Sequence, residues 1–246
     1  MTATRGTGTQ TDPVIRRLSA FRPIREAAAA AIERTLRERV LRVDAGHDLI
    51  LEGDRPDRIR VVLSGWLARY KTLEDGRRQI VNFVLPGDTC NPFAYLLSRL
   101  DHSISSLTTV IYSEIERESF EALLASDSML AEALWCEALA DAAIQREWAV
   151  NIGRRMALER VAHLLCEIFE RLRPVGLLNG DSCAFPITQM DLADATGLSV
   201  VHLNRTLQEL RAAGLIVLRE RTLTISDLDA LKNAGLFNPI YLHYAA

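Results

Sequence analysis

The chain has 246 residues, enough for one large domain or two ordinary ones. Hydrophobic residues make up 48 % and charged residues 25 %, a globular composition that can build real cores. The net charge of −3 marks the whole chain as neither a nucleic-acid coat nor a membrane coat, though DNA binding depends on basic density on one face, not on the total. No apolar run approaches the roughly 18 residues of a membrane span, so no membrane partner is expected. The four cysteines, Cys90, Cys136, Cys166 and Cys183, include no C-x-x-C pair, and the Thr/Gly-rich start lacks the apolar core of a signal peptide. A reduced, cytoplasmic protein is the expectation.

Residues 1–20 read as a flexible tail, with 1–13 too small and polar to offset ordering entropy. Glu26 to Val40 reads as a helix, with Ile32, Leu36 and Val40 four apart. Residues 21–125 then form a sensor domain. Glycines fall at Gly53, Gly65, Gly76 and Gly87, spaced by 11 or 12, with short apolar runs at Ile59–Leu63, Trp66–Tyr70 and Ile80–Leu85. Short strands at regular spacing imply an antiparallel jelly roll, with turns at Glu74-Asp75-Gly76 and Pro86-Gly87-Asp88.

Residues 126–155 predict one long helix, with Leu130, Leu134, Ile144, Trp148 and Ile152 on one stripe and Ala133, Ala140, Ala143 and Val150 beside it. A small barrel cannot cover two stripes. A partner helix is expected over the rest, with Ala140 and Ile144 at the contact. Residues 156–246 form the last unit. It opens with a helix over Met156–Leu172 and a loop over Gly176–Ser182.

Residues 188–210 carry the functional signal. Thr188 caps a short helix, Gln189 to Ala195; Thr196-Gly197-Leu198 make a tight turn; Ser199 caps a second helix, Val200 to Ala212. Ala193 permits a close helix crossing and Gly197 a sharp bend, which is helix-turn-helix spacing. The second helix presents Val200, Val201, His202, Asn204 and Arg205. Gly214–Leu218 and Leu223–Ile225 then form a hairpin wing, with Arg219 and Arg221 at its tip. The fold class is therefore α+β: jelly-roll barrel, long dimerisation helix, winged helix-turn-helix. The expected partner is double-stranded DNA, with Thr188, Gln189, Ser199 and the wing arginines expected on phosphate.

This order resembles the Crp/Fnr family of transcription regulators over about residues 21–240. The matching segments are Gly53-Asp54, Gly65, Asp75-Gly76-Arg77, Leu85-Pro86-Gly87-Asp88, Ile187-Thr188-Gln189 through Arg205, and Gly214-Leu215-Ile216. The resemblance implies a homodimer on a palindromic site that touches RNA polymerase.

The chain also departs from the family. The cyclic-AMP-binding branch grips its nucleotide with Gly-Glu-Leu and Arg-Ser-Ala segments. Here these positions hold Asn91-Pro92-Phe93 and His102-Ser103-Ile104. Pro92 cannot accept from a ribose hydroxyl, and His102 lacks arginine's bidentate fork and reads as an ordinary exposed loop histidine. Cyclic AMP is not expected as effector, and Asn91, Pro92, Phe93, His102 and Ser103 mark the altered pocket. The scattered cysteines do not predict an iron–sulfur cluster or zinc. Haem stays open, since His47 or His102 could serve as an axial ligand. No cofactor is predicted. In the reading helix the Arg-Glu pair of the cyclic-AMP-binding branch is Val200-Val201, while its later arginine is kept as Arg205.

Two other readings compete. An enzyme with a regulatory barrel is not supported, because no nucleophile–base set or phosphate-cradling loop is present. A degenerate reading head acting through a protein partner is opposed by Arg205 and the wing arginines.

Overall fold

The computed structural model describes residues 12–245. Residues 12–19, placed by the sequence in a flexible tail, instead form helix α1 (Asp12–Ser19). Val14 and Leu18, four apart, are buried against the barrel, and Arg17 between them is buried too. The rest of the segment expected to be disordered lies outside the described residues. Helix α2 (Glu26–Glu38) stops two residues before the expected end, because Val40 opens strand β1 (Val40–Val43).

Six further strands complete the barrel: β2 (Asp48–Ile50), β3 (Arg58–Ser64), β4 (Leu67–Thr72), β5 (Arg78–Val84), β6 (Ser103–Ser106) and β7 (Val110–Glu116). They pair antiparallel in two sheets, ordered β1-β7-β3 and β2-β6-β4-β5. Ile50, Val62, Leu67, Val84, Ile104 and Val110 fill the space between them. This is the jelly roll that the spacing of glycines and apolar runs implies.

Helix α3 (Arg117–Ser126) was not anticipated; it buries Phe120 and Leu123. The long helix α4 (Ser128–Arg154) therefore starts two residues later than expected, where the Asp127 carboxylate accepts from the backbone N–H groups of Met129 and Leu130.

The stripes of α4 are assigned differently from the sequence expectation. Leu130, Leu134, Ala140, Ala143, Ile144 and Trp148 are all buried within the subunit. Ala140 and Ile144 therefore do not face a partner. Of the two predicted stripes only Val150 and Ile152, near the end of the helix, are exposed; the other exposed large apolar side chains are Trp135, 55 % exposed, and Leu139, 66 %. Together with Ala142, Arg146, Ala149 and Gly153, all exposed, they recur at alternating steps of four and three. That is the spacing of a coiled-coil seam. Ala133, Ala140 and Ala143 lie inside, whereas Val150 at the end of their stripe is exposed.

Helix α5 (Ala157–Leu172) begins the last unit. The expected loop after it contains a short hairpin, β8 (Leu178–Asn179) and β9 (Ser182–Ala184), turning at Gly180 in the left-handed region. Strand β9 pairs with the wing, which makes a four-stranded sheet of what looked like a two-stranded wing. Helices α6 (Gln189–Thr196) and α7 (Val200–Ala212) follow, then β10 (Ile216–Arg219), β11 (Thr222–Ile225) and α8 (Leu228–Ala234). No described helix is long and apolar enough to cross a membrane.

One buried cluster joins the barrel to this unit without a break. It contains Trp66, Ile80, Phe83 and Leu85 of the barrel, Ile144 and Trp148 of α4, Leu164, Leu165 and Ile168 of α5, and Leu192, Leu203 and Leu207 of the helix-turn-helix. Trp66 meets Phe185 edge-on at 6.2 Å between ring centres, and Phe83 meets Trp148 at 5.9 Å.

At the end of α8 a Cβ on Gly235 would sit 2.6 Å from the His163 backbone nitrogen. Gly235→Ala should therefore push α8 off α5. A loss of about 1–3 kcal/mol is expected, measured by chemical denaturation.

Candidate nucleic-acid interface and sensor cavity

The reading head is built from its turn outward. Gly197 closes α6 with φ of +65°, and its N–H donates to the Ala193 carbonyl. Ser199 then caps α7, accepting from the His202 N–H at 3.2 Å. Thr188 and Asp191 form a reciprocal capping box on α6. Leu203 and Leu207 pack inward with Leu192, Ala193 and Ala195.

Of the proposed contact residues, Thr188, Gln189, Ser199, Val201, His202 and Arg205 are exposed, and Asn204 is partly so. Val200 is half-buried and packs on the core, so it does not share the outer face with Val201, which is 74 % exposed. Val201 and Arg205, four residues apart, stand one turn from each other on that face. The wing turns at Glu220 and Arg221, both with positive φ, which fits a tight two-residue hairpin. Arg219 and Arg221 are exposed at its tip.

The head is fixed to the barrel by charge as well as by apolar contact. Arg78 at the start of β5 donates to Asp191 at 2.7 Å and Asp194 at 2.8 Å, both on α6. Nothing in the sequence singled out this pair, because its members lie more than a hundred residues apart.

A cavity of about 590 Å³ lies where β4, β5 and the Asn91–Leu97 segment face α4. Asn91, Pro92, Phe93 and His102 line it. Ser103 does not: its hydroxyl accepts from the Glu52 N–H at 2.9 Å. His102 is not the exposed loop residue expected. Its side chain is 14 % exposed, and Nδ1 lies 2.8 Å from Asp101. Burial, followed by the charge of Arg69, lowers its pKa and keeps the ring neutral. His47 lies outside the cavity, exposed on the turn before β2. Among the described residues no three His, Cys, Asp or Glu side chains converge to hold a metal. Cys90, Cys166 and Cys183 are buried and separate, and burial pushes each thiol up to about 12.

Behind the cavity runs a buried polar network. Arg171 of α5 donates to Asp88 at 2.7 Å, the Phe83 carbonyl at 2.8 Å and Asn82 at 2.9 Å. Arg17 of α1 reaches the other oxygen of Asp88 at 3.0 Å and also contacts the Tyr244 hydroxyl. Glu167 accepts from the Trp148 indole at 3.0 Å and the Tyr241 hydroxyl at 2.8 Å. Asp141 of α4 accepts from Arg69 at 2.7 Å and Asn82 at 2.5 Å. Burial alone would raise the Asp141 pKa; Arg69 outweighs it and holds the carboxylate charged.

A winged reading head packed on a cyclic-nucleotide-type barrel, with a long helix between them, defines a DNA-binding regulator of transcription. The chain belongs to the Crp/Fnr family of such regulators, and its relatives are regulators, not enzymes. Residues 159–234 match the Crp-like helix-turn-helix domain, and residues 40–127 match the cyclic nucleotide-binding domain. The nitrogen fixation regulation protein FixK of Rhizobium meliloti is 30 % identical over 191 residues, 76 % of this chain and 83 % of that protein. The transcriptional activator protein FnrL of Cereibacter sphaeroides is 28 % identical over 192 residues, 76 % of each. The solved structure of FixK2 from Bradyrhizobium japonicum superposes with a TM-score of 0.69 at 25 % identity, covering 79 % of this chain and 96 % of that one.

Glu137 of α4, buried beside the cavity, accepts from the Thr89 N–H and hydroxyl, both at 3.0 Å. Burial raises its pKa from 4.5 to about 7 against the pull of Arg17. A carboxyl raised on folding binds its proton more tightly in the native state. The stability this gives is complete below pH 4.5 and is lost as pH rises through 7. Glu137→Gln, which stays neutral, should abolish that slope. Thermal melts from pH 5 to 8 should show the variant gaining on wild type by about 3 kcal/mol at the alkaline end.

Proposed function

We propose that the protein binds a two-fold DNA site as a homodimer in the cytoplasm, inserts α7 in the major groove of each half-site, and contacts RNA polymerase from there. The observation that carries this reading is the shared outer face of Val201 and Arg205, flanked by the exposed wing arginines. Arginine suits a guanine edge, and valine suits a thymine methyl. Thr188, Gln189, Ser199, Arg219 and Arg221 are the proposed phosphate contacts, with His202 and Asn204 beside the reading face.

Cyclic AMP does not control this protein in the proposed reading. Pro92 and His102 line the cavity where the nucleotide-gripping glutamate and arginine would be needed, and neither can supply that chemistry. No resident metal, iron–sulfur cluster or haem is proposed.

Arg205→Ala should weaken specific binding by about 1–3 kcal/mol and relax preference at one base pair per half-site. Arg221→Ala should weaken all sequences alike and reduce the salt slope by about one unit. Fluorescence anisotropy on specific and random duplexes over a salt series separates the two. Unchanged discrimination in Arg205→Ala would place the reading face elsewhere.

The dimer is proposed to close through the seam of Trp135, Leu139, Ala142, Arg146, Ala149 and Gly153. Leu139→Asp, exposed in the subunit, should sediment as a folded monomer and lose DNA affinity together with its partner. Ala140→Glu and Ile144→Asp would instead disrupt the subunit itself, since both positions are buried in it.

A further inference from the structure

The cavity between barrel and dimerisation helix is where a signal entering the barrel would be passed on, yet its principal cation is already engaged. Arg69 on β4 turns Nη1 to the Asp141 carboxylate at 2.7 Å and Nη2 to the Cys90 carbonyl at 2.6 Å. Asp141 belongs to α4, so a carboxylate of the dimerisation helix sits against a barrel cation. The second oxygen of Asp141 accepts from Asn82 Nδ2 on β5 at 2.5 Å. The same Asn82 amide presents Oδ1 to Arg171 Nη1 of α5 at 2.9 Å. Arg171 in turn holds the Phe83 carbonyl, Asp88 and Glu167.

These contacts form one unbroken polar path from the dimerisation helix, through Asn82 of β5, into the unit that carries the reading head, with Arg69 of β4 joined to it at Asp141. Its links are all side chains of the protein. Asn82 is the pivot, because one amide donates on one side and accepts on the other, and it is 2 % exposed. A bound small anion could make the first bridge, between Arg69 and α4, only by displacing Asp141.

We infer that the Asp141 carboxylate is a built-in ligand: with Asn82 it locks barrel, dimerisation helix and DNA-binding unit in register without a bound effector. Asp141 and Asn82 are positioning residues for DNA recognition, not contact residues. The inference rests on the chain being a DNA-binding regulator, as proposed above.

The test has two arms. In the first, wild-type protein is unfolded, dialysed free of small molecules and refolded. It should bind its specific duplex within twofold of the untreated protein, and millimolar cyclic AMP should change nothing. Refolded protein that regains its native melt but binds DNA only after the small-molecule fraction of a cell extract is added overturns the inference. Refolded protein that binds no DNA with or without that fraction overturns the regulator reading instead.

In the second arm, Asp141→Ala vacates the carboxylate position. It should lose at least tenfold in specific affinity. Sodium acetate or formate should restore most of that loss, whereas sodium chloride at equal ionic strength should not, because added salt alone only weakens DNA binding. Asn82→Leu breaks the pivot itself, and acetate should not restore it. A residue with a merely structural role would show no carboxylate rescue. Full affinity in Asp141→Ala, or a loss with a native melt that no carboxylate restores, overturns the inference. If Asp141→Ala does not fold, Asp141→Ser leaves a polar side chain and nearly the same vacancy, and is read in the same way.

Discussion

The structure depends on one buried guanidinium. Arg171 stands in the interior where α5 meets β5, almost without solvent contact, and is matched by Asp88, Glu167, the Phe83 carbonyl and Asn82. A buried charge is tolerable only when close partners offset its lost hydration, here through Nη1 and Nη2, and removing one member strands the others in a dry site. Asp88 belongs to the Pro-Gly-Asp turn of the barrel, so the turn, the N-terminal helix that brings Arg17, and the DNA-binding unit all take their places around this ion. The apolar cluster that runs from Trp66 to Leu207 closes over the same junction. Stability and the relative placement of the two ends of the molecule thus have a common origin.

That arrangement limits how the parts can move. Interfaces between domains of one chain are usually polar and modest, which allows relative motion. Here the interface is a continuation of a core. Trp66 and Phe83 of the barrel pack on Phe185 and Trp148 respectively, and Arg78 grips α6 from outside. The C-terminal segment adds a further tie, with the Ala245 N–H donating to the Ala20 carbonyl at 2.7 Å.

Local chemistry explains what could be read from the sequence. The helix-turn-helix was legible because Thr188, Gly197 and Ser199 are each dictated by a backbone need a few residues away. The barrel was legible because its turns demand glycine at regular steps. What the sequence hid depends on distant partners. Helix α1 is too short to show a period, and it is held by Asp88 some seventy residues on. The stripes of α4 were visible, but which stripe faces a second subunit depends on what else covers the helix. Alanines suggested the contact, whereas Trp135 and Leu139, with Val150 and Ile152 near the end of the helix, are the large apolar side chains left outside. His102 looked like a loop histidine because its cover comes from other parts of the barrel. Of the predicted pocket, four residues line the cavity and Ser103 is spent on a backbone hydrogen bond.

In the proposed dimer, the grip of Arg78 on Asp191 and Asp194 would make each subunit one arm of a caliper. An arm whose tip is pinned to its own shaft cannot flex to suit a target, so the gap between the two tips is fixed by the protein. Half-sites on B-DNA are separated by about 34–36 Å for each turn of the duplex. Any mismatch between that repeat and the gap must then be absorbed by the duplex, through bending or overtwisting at steps the protein never touches. The central base pairs of the site would be selected for their pliability, and a half-buried ion pair far from any base would help to choose them.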